Sequence, residues 1–203
     1  MRPSVEKPDR LLEEARNEPV ALLVVGDPMQ ATTHIDLEAR CFEEGVGFEV
    51  IPGMSSTSLS VSLCGLQSYK FGRQVTLPYP YGDYLATSPL ESISSNKNSG
   101  LHTLVLLDLD PTGMGFDPPN PMSPSQAVSV LEEMLDKHRE EVGGESTISG
   151  PIRDWDAILL SDIGTKGQRV VSGSLGDLSE ITGGLIHTLI LPTEMSDNEA
   201  DAF

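Results

Sequence analysis

The stretch HTLVLLDL at residues 102–109 decides the fold class of this chain. It is a nearly continuous aliphatic run, which is typical of a strand that is buried on both faces of a sheet. Upstream, the sequence predicts a short strand at Gln74–Leu77 and a helix at Ser88–Ser99. Downstream, a second helix is predicted from Ser123. Strands that alternate with helices in this way predict an α/β protein.

The second helix has the sharpest start signal in the sequence. Ser123 is a favoured capping residue, Pro124 occupies the first helical position, and Gln126 stands three residues after the cap. The pattern predicts a helix that runs to about Glu141. The Pro- and Gly-rich stretch Asp110–Pro124 before it is predicted to be a long loop, a candidate lid or insertion.

The same pattern continues in both directions. Downstream we predict three strands, at Asp156–Leu160, Gln168–Gly173 and His187–Leu191, with a short helix at Ser174–Ile181 between the last two. Upstream we predict a helix at Pro8–Asn17 and a buried strand at Val20–Val25. A helix capped by Thr32 or Thr33 follows and runs to Glu43. After it we predict a second strand at Phe48–Ile51 and a further helix within Met54–Leu63. The strand–helix–strand order predicts a right-handed parallel crossover. Pro52 and Gly53 break the pattern, so we expect an N-terminal domain at 1–52 and a C-terminal domain at 53–203.

The charge of the chain limits its partners. Its 203 residues hold 13 Lys+Arg against 31 Asp+Glu, a net charge of −18. A nucleic-acid binder needs clustered cations, and so does a protein that docks on an anionic membrane, so neither partner is expected. The acidic residues are spread evenly over an ordinary core, which predicts adaptation to a salty cytoplasm, where screening shortens to about 3 Å at 1 M salt. The alternative is an acidic protein without such adaptation.

Neither a disulfide framework nor a metal site is expected. Cys41 and Cys64 are the two cysteines, and they are predicted to be small buried residues in a reducing cytoplasm. The four histidines and two cysteines show no repeated ligand spacing, which argues against zinc. Trp155 is expected to serve in packing.

Three features follow predicted strands, where an open α/β sheet binds ligands. The GDPMQATTH loop holds Asp27, which either contacts a ligand or caps the next helix. The PGMSSTS segment from Pro52 either holds a carboxylate or is an ordinary capped helix start. In LLDLD, Asp108 and Asp110 form a metal pair or, more simply, cap the strand end.

Three blocks of this sequence resemble the diphthine synthase family, especially its archaeal form. They are Gly26–Gly53, Cys64–Tyr84 and Gly100–Asp110, which contain the motifs GDP…ATTH, GLQ…YKFG and GLHTL. The later segments MSPSQAVSVL, DAILLSDIGTKGQRVVSGSLGDL and HTLILP continue in the same order. The resemblance covers the chain from about Val20 to its C-terminus.

The resemblance implies a tetrapyrrole methylase-like fold of two α/β domains that hold S-adenosylmethionine (SAM) in the cleft between them. It implies a homodimer in the cytoplasm, and a protein substrate, translation elongation factor 2. The reaction it implies is methylation of the amino group of a modified histidine on that factor, a step of diphthamide synthesis. Carried over by position, the implied SAM contacts are Asp27, Gln30, Ser56, Thr57, Leu107, Ile163 and His187.

Such a reaction needs the amine, the methyl group and the sulfur in line, and it needs no metal. The resemblance singles out no general base. Compared with the family, the first strand and its glycine-rich turn are missing, so we expect an incomplete N-terminal domain. Two rival interpretations stay open: a methyltransferase of the same fold that acts on a tetrapyrrole or ribosomal RNA, and a remnant without catalytic activity.

Overall fold

A computed structural model of the chain describes residues 8–110, 120–143, 148 and 150–201. The chain divides into two compact units, residues 1–58 and 59–203, which are described separately below. The boundary expected from the sequence, after residue 52, stays a prediction. The predicted loop Asp110–Pro124 lies largely outside the described residues.

The first unit contains two helices, α1 (Asp9–Ala15) and α2 (Ile35–Glu43). They contribute Leu12, Leu37 and Cys41 to a small buried cluster. Both helices were predicted, but the predicted cap of α2 is wrong. The helix begins after His34, and neither predicted threonine caps it with its side chain. The His34 ring is instead bonded to the Pro28 carbonyl, which ties the helix start to the preceding loop.

The two strands predicted for this unit, Val20–Val25 and Phe48–Ile51, are wrong, since neither segment is a strand in the structure. Side chains expected in a core are open to solvent, with Leu23 85% and Val25 97% exposed. A strand exists only where a neighbour takes up its backbone hydrogen bonds, and residues 8–58 provide no such neighbour. The predicted parallel crossover is therefore absent from this unit.

The second unit is built on a five-stranded mixed sheet, with strands in the order β1-β2-β5-β3-β4. The strands are β1 (Val75–Leu77), β2 (Thr103–Leu107), β3 (Asp156–Ser161), β4 (Arg169–Ser174) and β5 (His187–Leu191). β1 and β2 pair in parallel, and the other three pairings are antiparallel. The helices are α3 (Ser56–Leu63), which contains the division point, α4 (Ser88–Asn98), α5 (Pro124–Glu141), α6 (Leu175–Ser179) and α7 (Asp197–Ala200). Short 3-10 turns lie at Ser68–Lys70 and Ile152–Asp154.

Both faces of this sheet are covered, which explains the unbroken apolar run in β2. On one face, Val105, Leu107, Leu159 and Leu189 join the main core with residues of α4, α5 and α6. On the other, a smaller cluster combines Leu104, Leu106, Ile158, Leu160 and Ile190 with Cys64 and Leu66. The predicted α/β class is confirmed by this sheet and its helices.

Most predicted elements of this unit form within one or two residues of their predicted bounds. α5 begins with the predicted capping box, in which the Ser123 hydroxyl accepts from the Gln126 N–H. The short helix α7 was not predicted. In the part of the chain that the structure describes, no helix is both long and apolar enough to cross a bilayer.

Candidate functional site

One edge of the sheet collects three of the residues predicted as SAM contacts. The carboxyl ends of β1, β2 and β3 meet there with the amino end of β5. His187 pairs with Ser161, and Leu106 pairs with Thr188, which places Leu107 next to His187. Ile163 follows two residues after Ser161. Polar and apolar groups from separate strands therefore converge where α/β sheets bind ligands.

His187 is the buried polar centre of this edge. Its side chain is 6% exposed, and its Nδ1 lies 2.9 Å from the Ser161 hydroxyl. Burial lowers the pKa of His187, although the nearby Asp162 carboxylate opposes that shift. The ring is therefore neutral at neutral pH. Its Nε2 makes no hydrogen bond to the residues the structure describes, so it remains open to a ligand.

Asp162 holds the loop that leads into β5. Its carboxylate accepts from the Leu185 N–H at 2.9 Å and from the Ile186 N–H at 2.8 Å. These two backbone donors hold the pKa of Asp162 below its usual range. The residue also has a positive φ of 48°. That conformation is uncommon outside glycine, and Asp is among the residues that tolerate it. Sequence reasoning missed Asp162, although an Asp at the end of a predicted strand was a visible signal.

Leu107 and Ile163 are the apolar members of the predicted set at this edge, and they pack on opposite faces of the sheet. Leu107 is buried at the end of β2 within the main core. Ile163 is half-buried and packs against the smaller cluster on the opposite face.

The remaining predicted contacts lie in the first unit, where Asp27 joins two loops. Its Oδ1 accepts from the Met29 N–H at 2.8 Å, and its Oδ2 accepts from the Gly53 N–H at 3.0 Å. Asp27 therefore does not cap α2, which was one of its two predicted roles. It brings the GDP loop against the Pro52–Gly53 turn. Each carboxylate oxygen keeps a further lone pair for a ligand.

The two loops approach so closely that only glycine fits at residue 53. A Cβ on Gly53 would lie 2.1 Å from the Gly26 carbonyl oxygen. Gly26 itself has a positive φ of 90°. The close approach of the two backbone segments thus explains both Gly26 in the GDP loop and Gly53 in the PGMSSTS segment.

The start of α3 follows that turn and has the capped geometry that the sequence allowed. The buried Ser55 hydroxyl accepts from the Thr57 N–H at 3.0 Å. The Thr57 hydroxyl is buried and has no partner among the described residues. Gln30 and Ser56 are exposed. Of the predicted contacts in this unit, Thr57 is the one with unused buried hydrogen-bonding capacity.

Asp108 caps the end of β2, as the simpler of its two predicted roles required. Its Oδ1 accepts from the Leu109 and Asp110 N–H groups, and its Oδ2 accepts from the Tyr79 N–H. Within the described ranges, no three His, Cys, Asp or Glu side chains gather in a metal-binding arrangement. Cys41 and Cys64 are free and buried, as predicted, and burial raises the pKa of both thiols.

A second polar cluster, missed by sequence reasoning, lies at the opposite end of the sheet around Glu199. The Glu199 side chain is 1% exposed. Its carboxylate accepts from the Gln67 N–H at 2.9 Å, from Lys70 Nζ at 3.0 Å, from His102 Nε2 at 3.1 Å and from Ser196. Burial alone would raise the pKa of Glu199, but these donors outweigh it and hold the pKa far below its usual range. This Glu199 cluster anchors α7.

The sequence profile of "Tetrapyrrole (Corrin/Porphyrin) Methylases" matches residues 2–179. A diphthine synthase of Methanosarcina mazei is 35% identical over 99% of this chain and 72% of its own length. A diphthine methyl ester synthase of Yarrowia lipolytica is 37% identical over 95% of this chain and 65% of its own length.

The fold has a match among solved structures as well. A crystal structure of diphthine synthase superposes with a TM-score of 0.82 at 27% sequence identity. The match covers 100% of this chain and 71% of that one. Similarity in sequence and in fold therefore points to the same group of proteins.

Proposed function

Because this chain belongs to the diphthine synthases of the tetrapyrrole methylase family, we propose that it methylates the amino group of a modified histidine on translation elongation factor 2. It is a SAM-dependent methyltransferase, and it acts in diphthamide biosynthesis. The structural observation that supports the proposal is the convergence of Leu107, Ile163 and the neutral His187 at one edge of the sheet.

The residues present suit a positively charged nucleoside ligand. Leu107 is apolar, His187 bonds Ser161 through Nδ1 and makes no bond through Nε2 to the described residues, and the buried Thr57 hydroxyl has no partner among them. None of these groups is a cation that would repel a sulfonium. We propose the full set of predicted contacts as the SAM site: Asp27, Gln30, Ser56, Thr57, Leu107, Ile163 and His187.

Bound SAM supplies an electrophilic methyl group on a sulfonium centre. The task of the protein is to hold the amine of the substrate in line with that group, since alignment alone lowers such a barrier substantially. His187 offers one hydrogen bond through Nε2, and Leu107 lies next to it at the end of β2. The amine reacts only when it is unprotonated, so it must lose its proton before the methyl group is transferred.

We further propose a homodimer in the cytoplasm of a salt-adapted archaeal cell. The net charge of −18 supports the salt adaptation, because such self-repulsion is tolerated where salt screens it. The same charge disfavours nucleic acid and anionic membranes as partners. We also retain 1–52 and 53–203 as the proposed domains.

The test is a methyl-transfer assay with labelled SAM on two forms of elongation factor 2, one with the amino-bearing modified histidine and one without it. We expect label on the first form alone. Because the names of the two relatives differ by a methyl ester, mass spectrometry of the product should count and locate the methyl groups. Transfer to a tetrapyrrole or to ribosomal RNA instead would overturn the proposed substrate.

A matched pair of variants links the assay to the site. Thr57→Val removes the unpaired buried hydroxyl and keeps the shape, so we expect weaker SAM binding. Thr76→Val changes an exposed threonine of β1 and should leave binding unchanged. Equal affinity of the two variants would remove Thr57 from the proposed site.

A further inference from the structure

The loop at residues 182–186, which leads into β5, is held from two sides. The Asp162 carboxylate accepts from the N–H groups of Leu185 and Ile186, and the Asp162 N–H donates to the Ile186 carbonyl at 2.8 Å. From β4, the Arg169 guanidinium donates to the carbonyls of Thr182 and Gly183 at 3.2 and 3.1 Å. These bonds fix the point at which His187 enters the sheet.

The loop backbone at Gly184 lies so close to His187 that a side chain there would contact its ring. A Cβ on Gly184 would lie 3.0 Å from His187 Cε1, 3.2 Å from Ser161 Cβ and 3.3 Å from Asp162 Oδ2. Gly184 has a φ of 85°, which glycine adopts at little cost. The loop backbone therefore lies directly against the edge of the imidazole ring.

Ser161 decides which ring nitrogen of His187 carries the proton. The Ser161 side chain is 1% exposed, and its hydroxyl contacts His187 Nδ1 and no other partner in the described part of the chain. If Nδ1 carried the proton, the buried serine hydrogen would be left unpaired, which is costly. The hydroxyl therefore donates to Nδ1, and the proton of the neutral ring resides on Nε2.

We propose that Ser161 and Asp162 are positioning residues of the SAM site, and that they present His187 Nε2–H as a hydrogen-bond donor to the adenine or ribose of the bound methyl donor. The inference rests on the proposed function, since it takes His187 as a SAM contact. Asp162 sets the position of the ring through the loop, and Ser161 sets its tautomer. Neither residue needs to touch the ligand.

The tautomer is tested by imidazole ¹⁵N NMR of the full chain without ligand. We expect the Nε2–H form of His187 in the unchanged chain and in Ser161→Thr, which keeps the hydroxyl. In Ser161→Ala we expect a mixture of the two tautomers. His102, whose Nδ1 accepts from the Thr193 N–H, is the internal reference and should not change.

The consequence for binding is tested by calorimetric titration with S-adenosylhomocysteine. Loss of one buried hydrogen bond typically lowers affinity about three- to tenfold, and this is the effect expected for Ser161→Ala, with recovery in Ser161→Thr. Asp162→Gly keeps the positive φ but removes the carboxylate, so we expect a loss of about tenfold. We also expect faster hydrogen exchange at the amides of Leu185 and Ile186.

Three results would overturn the inference. The first is affinity in Ser161→Ala equal to that of the unchanged chain. The second is an unaltered His187 tautomer in that variant, and the third is affinity that Ser161→Thr fails to restore although its melting temperature is normal. If the unchanged chain itself bound no S-adenosylhomocysteine, the proposed SAM site would fail and the inference with it, a result distinct from the other three.

Discussion

Replacing Glu199 by Gln should destabilise the second unit by about 3 kcal/mol. One oxygen of the new amide can still accept from the Gln67 N–H and from His102. The amide NH₂ would then face Lys70 Nζ and the Ser196 N–H, which are donors themselves. Lys70 is 24% exposed and can turn to water, but the Ser196 N–H loses its acceptor.

The magnitude follows from these contacts. A buried donor left without a partner costs about 1–3 kcal/mol of stability. A hydrogen bond to a charged group contributes about 1.5–3 kcal/mol, and the neutral amide of Gln makes weaker bonds in its place. Breaking a buried ion pair by removing one charge costs about 3–5 kcal/mol. Because Lys70 keeps its bond to the Glu194 carbonyl, the lower part of that range applies.

The assay is urea unfolding followed by the fluorescence of Trp155, the single tryptophan, which lies in the second unit. With a slope of about 2 kcal/mol per molar urea, the midpoint should fall by about 1.5 M. Glu194→Gln is the matched control, because this residue is exposed and, among the described residues, is bonded through its backbone carbonyl and not through its carboxylate. If both variants shifted the midpoint equally, the argument from the Glu199 carboxylate would be refuted.

Three further predictions follow. Stability should fall as the pH drops from 7 to 4, because the folded-state pKa values of His102, His187 and Glu199 all lie below their ordinary values of 6.5 and 4.5. In that range the unfolded chain binds more protons than the folded one. The contribution of the histidines to the free energy of unfolding is therefore lost as the pH falls below 6.5, and that of Glu199 as it falls below 4.5. Melting temperatures measured across the range would check this. Gly53→Ala should abolish SAM binding because its Cβ would clash with the Gly26 carbonyl, whereas Gly47→Ala, with no atom near its Cβ, should bind normally in the same titration. Raising KCl to 1 M should raise the melting temperature more than the same osmolality of sucrose does, because salt screens the net charge of −18; an equal effect of both solutes would contradict the proposed salt adaptation.

The elements that were predicted well are those whose signals are local. The start of α5 depends on Ser123, Pro124 and Gln126, which lie within one turn of each other. α7 has the same kind of signal, a capping box from Ser196 to Glu199, and reading that motif would have located it. Glu199 is also the acceptor at the centre of a buried polar cluster, and no local pattern indicates this role. Its bonds to His102, Lys70 and Gln67 join residues that are 97, 129 and 132 positions apart in the sequence.

The strands of the first unit failed for the complementary reason. An apolar run such as Val20–Val25 indicates that a segment is suited to a buried strand. Whether the strand forms depends on a second segment that pairs with it, and the run itself contains no information about that segment. The second unit supplies such partners for β2 on both sides, with β1 and β5. The same type of sequence therefore forms a strand in one unit and not in the other.

The two buried histidines at opposite ends of the β2–β5 ladder show how a structure separates an architectural residue from a candidate ligand contact. His102 is fully buried, and burial lowers its pKa just as it does for His187. Both nitrogens of His102 are used, one by the Thr193 N–H and one by Glu199. His187 uses one nitrogen for Ser161 and keeps the other unpaired among the described residues.

That difference in unused hydrogen-bonding capacity, rather than burial or sequence context, is what marks His187. The GLHTL motif that carried much of the family resemblance contains His102, which holds α7 and the 67–70 turn in place. The motif is thus explained by the architecture of the second unit. The candidate contact His187 lies in HTLILP, another of the segments that resemble the family. Lying in a family-like segment therefore does not by itself make a residue a ligand contact. Both ring nitrogens of His102 are used within the protein, whereas His187 Nε2 makes no hydrogen bond to the described residues.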